Sequence, residues 1–563
     1  MKKLSKTLAL LLAVIMVLGL CACGVSEETA AKLEAIETSL ADIEETVSGM
    51  TSGQTASAPA ESADDETAAP AQGSVIDELT IGAYSNYAVS GLDATFVNTS
   101  NCAYMLFNLC FDQMFYVDPE TNEMVSDIFE SWEYSEDNLR LTLQLKDGIY
   151  FSNGTQMTGD DILYTISQWQ QTRKKTYYTC INLDESSVSE DGLTIELVYN
   201  FEYGPGIKKL QLWVISKDFY EGLGDLSTVD WFDKANVCGS GPYALTDYVQ
   251  DTSAVVELRD DYWNDASNYS VKKFVINRYT DQTTMFIDFE NQIIDVAVNL
   301  ASSDATRLND GEVEFGALGL IESNAVTMIC LNESNEYFQD PVVREAICHA
   351  IDTETVARQV LGIYGTAAQS TLSVNMPAFQ EGCAYTYDPE YAKQLLTDAG
   401  YEEGEITVHY VCSSDSEQAA LAEFFQGYLN NIGITVEIET VDEATMKQML
   451  AAGESDIQRQ TATEGTPELE PYECYSAFPV GGTFPAVVIS DENINELLNG
   501  AYQTGDEQTR IDLYKQAQTA IYESYWVVPM YEWKAGYAYN TELIDSVPLV
   551  SSVRPDFRFI TTK

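Results

Sequence analysis

Basic residues are scarce in this sequence. Lys and Arg number 29 against 89 Asp and Glu, and the formal net charge is −60. A field of that sign repels nucleic-acid phosphates and anionic lipid headgroups, so neither is an expected partner. Histidine is scarcer still, with only His349 and His409. Nickel favours imidazole, and two histidines on separate predicted elements read more simply as core or surface residues. Cysteine is present at 11 positions, but no two form a CxxC pair, which argues against a zinc site. Setting Cys21 and Cys23 aside, the remaining nine are scattered, and an odd number leaves at least one free thiol. Cys330, inside Met328-Ile329-Cys330-Leu331, reads as a small buried hydrophobe. The sequence holds no GxSxG elbow and no HExxH pair. A secreted hydrolase would then rest on a carboxylate pair, and with 89 acids such a pair can always be drawn, so it carries no information.

Long apolar runs are nearly absent. The one that stands out spans residues 8–20, behind Lys2, Lys3 and Lys6. A basic start and an apolar stretch of that length predict an export signal rather than a membrane span, which needs about 20 residues. The run ends in Leu20-Cys21-Ala22-Cys23-Gly24. A small residue before Cys23, with Leu20 three places upstream, resembles a bacterial lipobox. That resemblance implies removal of residues 1–22 and acylation of Cys23. Cys21 would put Leu20 at the cleavage position, where a small residue is wanted.

Behind Cys23, Leu33, Ile36, Leu40, Ile43 and Val47 alternate spacings of three and four, a short helix with coiled-coil potential. Residues 49–74 are rich in Ser, Ala, Thr, Gly and Pro, the composition of a flexible tether. Residues 23–75 thus read as a stalk. From Ile76 onward, strand and helix patterns interleave. Leu79-Thr-Ile-Gly82 opens as a strand, and residues 139–146 alternate Leu with polar side chains strictly. Thr158-Gly-Asp-Asp161 caps a helix. Helices are predicted over 341–360, 388–399, 416–431 and 507–523. Strands are predicted at 406–411, 434–438 and 526–531. Mixed elements with short connections predict an α/β fold.

Several collinear motifs resemble the peptide/nickel class of extracellular solute-binding proteins, family 5. They are Ser131-Trp132-Glu133, Leu145-Lys-Asp-Gly-Ile149, Phe151-Ser-Asn-Gly-Thr155 and Thr158–Asp161. They continue with Gly239-Ser-Gly-Pro-Tyr243, the Asn332…Asp340…Arg344-x-Ala346 block with Ala350-Ile-Asp352, and Asp388-Pro389…Ala399-Gly-Tyr401. The resemblance covers residues 79–558. It implies a two-lobed type II periplasmic-binding-protein fold with an enlarged first lobe, the lobes joined by crossing strands. Lobe I would comprise 76–277 and 525–563, and lobe II 278–524.

The function it implies is capture of a solute in the inter-lobe cleft and delivery to an ATP-driven (ABC) permease and ATPase complex. No catalysis and no cofactor are expected, and the protein is expected to be a monomer held at the membrane by its anchor. An oligopeptide or dipeptide is the implied cargo. An oligosaccharide on the same fold is the alternative, and a sensory receptor or a hydrolase are the readings from other classes.

Candidate ligand residues follow from strand ends facing the cleft. Tyr84, Ser85 and Asn86 follow the opening strand, and Tyr243 follows the Gly-Ser-Gly-Pro turn. In peptide binders of the family, an acidic residue in a segment resembling GW-x-x-D-x-x-DP meets the peptide ammonium. Here the tryptophan and both aspartates of that pattern are missing, and Glu464 is nearest in spacing, with Glu468 and Glu470 behind it. Arg459 either pairs with a ligand carboxylate or bridges one of these glutamates.

Overall fold

A run such as Val326-Thr-Met-Ile-Cys-Leu331 is too apolar for a strand with one wet face, and it fits a sheet covered on both sides. In a computed structural model of the protein, Ile329 and Leu331 point into one apolar core while Met328 and Cys330 point into another on the opposite face. That two-residue alternation is what extended backbone imposes. The structure describes residues 74–563 apart from 86–90, 96–100, 119–120, 122, 174–175, 205, 463–470, 472–474, 476–488 and 552–553. Cys23, the 33–47 heptads, Asn86 and Glu464 lie outside the described residues.

An eleven-stranded sheet runs through the chain. Two strands carry it from one half to the other: an outgoing strand, Gly316–Leu331, and an antiparallel return strand, Val527–Asn540. Beside the return strand, in order, lie Val296–Val298, the opening strand Leu79–Tyr84, Lys273–Tyr279, Ser253–Leu258 and Tyr243–Val249. Beside the outgoing strand lie Ile457–Ala462, Thr407–Ser413 and Thr435–Val441. The register between the two long strands breaks between Glu322 and Val326, and each half packs against its own cores.

The first lobe is enlarged by an antiparallel four-stranded sheet that includes Phe129–Tyr134, Arg140–Leu145 and Thr194–Val198. Leu141, Leu143 and Leu145 are all buried, as the strict alternation predicts. Ahead of the helix Gly159–Arg173, Asp161 Oδ2 accepts from the Thr158 amide at 2.8 Å, the predicted cap. In the second lobe one face of the sheet is covered by helices that include Pro341–His349, Pro389–Ala399 and Ser416–Asn431. Glu492–Tyr502 and Glu507–Ser524 cover the other.

The lobe boundary differs from the expected 278. Val296–Val298 pairs with the opening strand, and Phe286 and Phe289 fill a core shared with Ala538. The chain therefore stays with the first lobe until the register break at Glu322–Val326. It returns at the matching point of the second long strand, near Glu532, rather than at 525. The predicted helix over 341–360 is two helices, Pro341–His349 and Thr353–Leu361. The carboxylate of Asp352 caps the second on Thr355.

Candidate functional site

Strand directions locate the site. The opening strand and its parallel neighbours Lys273–Tyr279 and Val296–Val298 run the same way as the outgoing strand, toward the register break. Ile457–Ala462 runs antiparallel to the outgoing strand, and Thr407–Ser413 and Thr435–Val441 run with it, toward the break from the other side. Carboxyl ends of both lobes thus converge on the hinge: Tyr84, Tyr279 and Val298 from one side, Ser413, Val441 and Ala462 from the other. Ligands of open α/β sheets bind in the crevice outside such strand ends.

On the first-lobe rim, Tyr84 packs against the core formed by Phe286 and Phe289. Ser85 is buried, and its carbonyl accepts from Arg278 Nη2 at 3.2 Å. Both predicted residues therefore stand at the rim. Tyr243 does not belong there. Its ring is buried against Phe274 and Tyr269, and its hydroxyl donates to the Val271 carbonyl at 2.7 Å. A hydroxyl committed inside the core has nothing left for a solute, so Tyr243 is a packing residue.

On the second-lobe rim, Arg459 lies on Ile457–Ala462, opposite Ile329. Its Nη2 donates to both carboxylate oxygens of Glu417 at 2.7 Å. Glu417 stands in the first turn of Ser416–Asn431, which Asp415 caps. A helix N-terminus favours a carboxylate there. The hydroxyl of Tyr531, on the return strand, donates to the same carboxylate at 2.5 Å. Burial works against the charge on Arg459, but Glu417 and Tyr531 outweigh it and raise its pKa. Nε of Arg459 and the hydroxyl of Tyr410 are buried with no hydrogen-bond partner among the described residues. Beside them Trp533 Nε1 donates to Thr327 Oγ1 at 2.8 Å, which meets Thr461 Oγ1 at 3.0 Å.

The arrangement is a partly buried ion pair on the second lobe, with two unpartnered donors beside it among the described residues, one of them on the core residue Tyr410. Of the predicted residues it includes Arg459, paired with Glu417, which no motif in the sequence singled out. The strand ending at Ser413 followed at once by a helix was the available signal, because a polar residue in that first turn faces the crevice by construction. The two histidines share no partner. His349 bonds to the Thr386 carbonyl and His409 to the Glu454 carbonyl, each at 2.8 Å. All eight described cysteines of the folded part are free and buried. Among the described residues no helix is long and apolar enough to cross a membrane.

Comparison with known proteins agrees with this fold. The curated relatives include heme-binding protein A of Haemophilus influenzae, 24% identical over 430 residues, covering 71% of this chain and 77% of that protein. They include the dipeptide-binding protein of Escherichia coli, 22% identical over 438 residues, covering 72% and 80%. Among solved structures, the periplasmic binding protein DppA of Helicobacter pylori, in complex with the peptide STSA, superposes with a TM-score of 0.71. It is 20% identical and covers 87% of this chain and 98% of that one. The type II two-lobed fold is common to these structures. The profile of the bacterial extracellular solute-binding proteins, family 5, matches residues 123–478, and this chain belongs to that family.

Proposed function

We propose that this protein takes an oligopeptide or dipeptide into the cleft between its lobes, hands it to an ABC importer and carries out no catalysis. The observation that carries the reading is the second-lobe rim. Arg459, on the strand that ends at Ala462, and Tyr410, on the strand beside it, hold buried donors without partners among the described residues. A buried donor left unpaired costs about 1–3 kcal/mol. A peptide carboxylate or carbonyl supplies the missing acceptor. Glu464, two residues past that strand's end, is the candidate partner for the peptide ammonium through charge-assisted hydrogen bonds. The dipeptide-binding relatives and the peptide-bound neighbour favour this cargo within a family whose members also include a heme-binding protein.

Cys23 with the 23–75 stalk would hold the monomer at the extracytoplasmic face of the membrane. The acidic lobes would stay clear of anionic headgroups. Closure around the cargo is a hinge motion at the register break, since only the closed state touches the ligand from both lobes.

The test is titration of the purified protein with mixed di- to hexapeptides, read by calorimetry and thermal shift. Peptide at 100 times its Kd stabilises the folded state by about 2.7 kcal/mol. No response to any length class refutes the peptide reading. Mass spectrometry of the co-purifying ligand would then reveal an oligosaccharide.

A further inference from the structure

The two lobes also touch far along the sequence from the hinge strands. Residues 201–208 follow the strand Thr194–Val198 of the first lobe's small sheet. Residues 502–510 form the turn between Glu492–Tyr502 and Glu507–Ser524, helices packed on the second lobe's core through Leu498, Ala501, Tyr514 and Ala517. The Tyr502 ring leaves that core and inserts among first-lobe side chains, 5.8 Å from Phe201 and 5.5 Å from Tyr203 between ring centres.

Around these rings the backbones are tied. The Gly204 amide donates to the Tyr502 carbonyl at 3.4 Å, and the Gly505 amide donates to Glu202 Oε1 at 2.9 Å. Asn138 holds the same Glu202 oxygen at 2.9 Å. Arg510 Nη1 donates to the Gly204 carbonyl at 2.5 Å, and Lys208 meets Glu507 at 3.2 Å.

Both glycines are explained by this approach and by nothing else. Neither has a positive φ. A methyl group at Gly204 would collide with the Thr504 carbonyl oxygen and lie 3.0 Å from Arg510 Cδ. One at Gly505 would collide with Glu202 Oε1 and lie 2.7 Å from Asn138 Nδ2. Each obstruction comes from the opposite lobe: Thr504 and Arg510 of the second lobe face Gly204, and Glu202 and Asn138 of the first face Gly505. Loops that merely graze one another do not need a missing Cβ on each side.

We propose that 201–204 and 206–208 with 502–510 form a clasp that must open for the lobes to part, and that it sets the resting balance between open and closed protein. Because the closed state alone contacts cargo from both sides, the clasp scales apparent affinity through the closed fraction and touches no ligand. It goes beyond the cargo assignment and stands or falls separately from it.

The test needs no ligand. Full-length protein in contrast-matched detergent is measured by small-angle neutron scattering and by hydrogen exchange, as wild type, Gly505→Ala and Arg510→Met. Arg510→Met leaves the backbone unchanged and covers the case in which the alanine variant fails to fold. The clasp predicts slow exchange at the Gly204 and Gly505 amides in wild type. In the variants exchange rises at least roughly tenfold, together with a larger radius of gyration. Free exchange of those two amides in wild type overturns the proposal. So does faster exchange with an unchanged radius, which marks a local contact and no restraint on the lobes.

Discussion

The buried carboxyl of Asp112 offers a quantitative test of the first-lobe core. It accepts from Tyr262 Oη at 3.1 Å and from Trp263 Nε1 at 2.9 Å, next to the Asp556–Arg558 ion pair. Burial is the main cause that pushes its pKa from 3.8 up to about 6; the charge of Asp127 adds to this, and the hydrogen bond from Trp263 and the charge of Arg558 oppose it. The folded state therefore binds this proton more tightly than the unfolded chain does. Below about pH 4 the group is protonated in both states and no penalty exists. As pH rises from about 4 to about 6, the folded protein loses stability relative to a reference without the acid. At ~1.36 kcal/mol per pH unit the full loss is about 3 kcal/mol.

Asp112→Asn removes the titration and keeps the shape. It also turns one acceptor into a donor, a cost of about 1–3 kcal/mol that does not vary with pH. Urea unfolding of both proteins from pH 4 to 7 separates the two contributions. The stability of Asp112→Asn minus that of wild type should climb by about 3 kcal/mol across the window, whatever its starting value. A gap that stays flat to within about 1 kcal/mol would mean that the folded carboxyl is solvated or fully compensated by its donors, and the burial argument would fail.

The Arg459–Glu417 pair predicts an asymmetry. Arg459→Met strands a partly buried carboxylate and should cost about 1–3 kcal/mol by urea unfolding, whereas Arg459→Met with Glu417→Leu recovers most of it. Gly319→Ala places a methyl into the Tyr537 ring, which cannot withdraw because its hydroxyl is bonded to the Val547 carbonyl at 3.0 Å. That overpacking should lower stability by about 1–3 kcal/mol, and Tyr537→Leu in the same chain should restore part of it.

Local patterns carried much of the fold. Residues 139–146 alternate because one face of that strand is buried, and Asp161 and Asp388 cap their helices within three residues of their own position. Such relations are short-range, and the sequence displays them directly. The outgoing strand does not. Its halves serve different cores, and Gly316, Gly319 and Asn324 interrupt any alternation, so nothing local marks it as one strand that crosses between the lobes. Tyr84 and Ser85 stand at a strand end as expected, and Arg459 was singled out without its partner. Glu417 was missed because its partner lies 42 positions away. Tyr243 was overread because a turn motif signals exposure, while the ring after it packs inward.

The return strand has a consequence for how the chain acquires its structure. Tyr537 and Ala538 complete the cores of one half, while Val528, Met530 and Tyr531 complete that of the other. Neither half can close its interior until this late stretch has been made and threaded between partners hundreds of positions earlier. A nascent chain emerging in order therefore stays incompletely consolidated until almost its last residues are available. That delay suits a polypeptide that must remain unfolded to pass through a membrane, and it makes truncation just before Val527 as damaging to the amino-terminal half as to the carboxyl-terminal one.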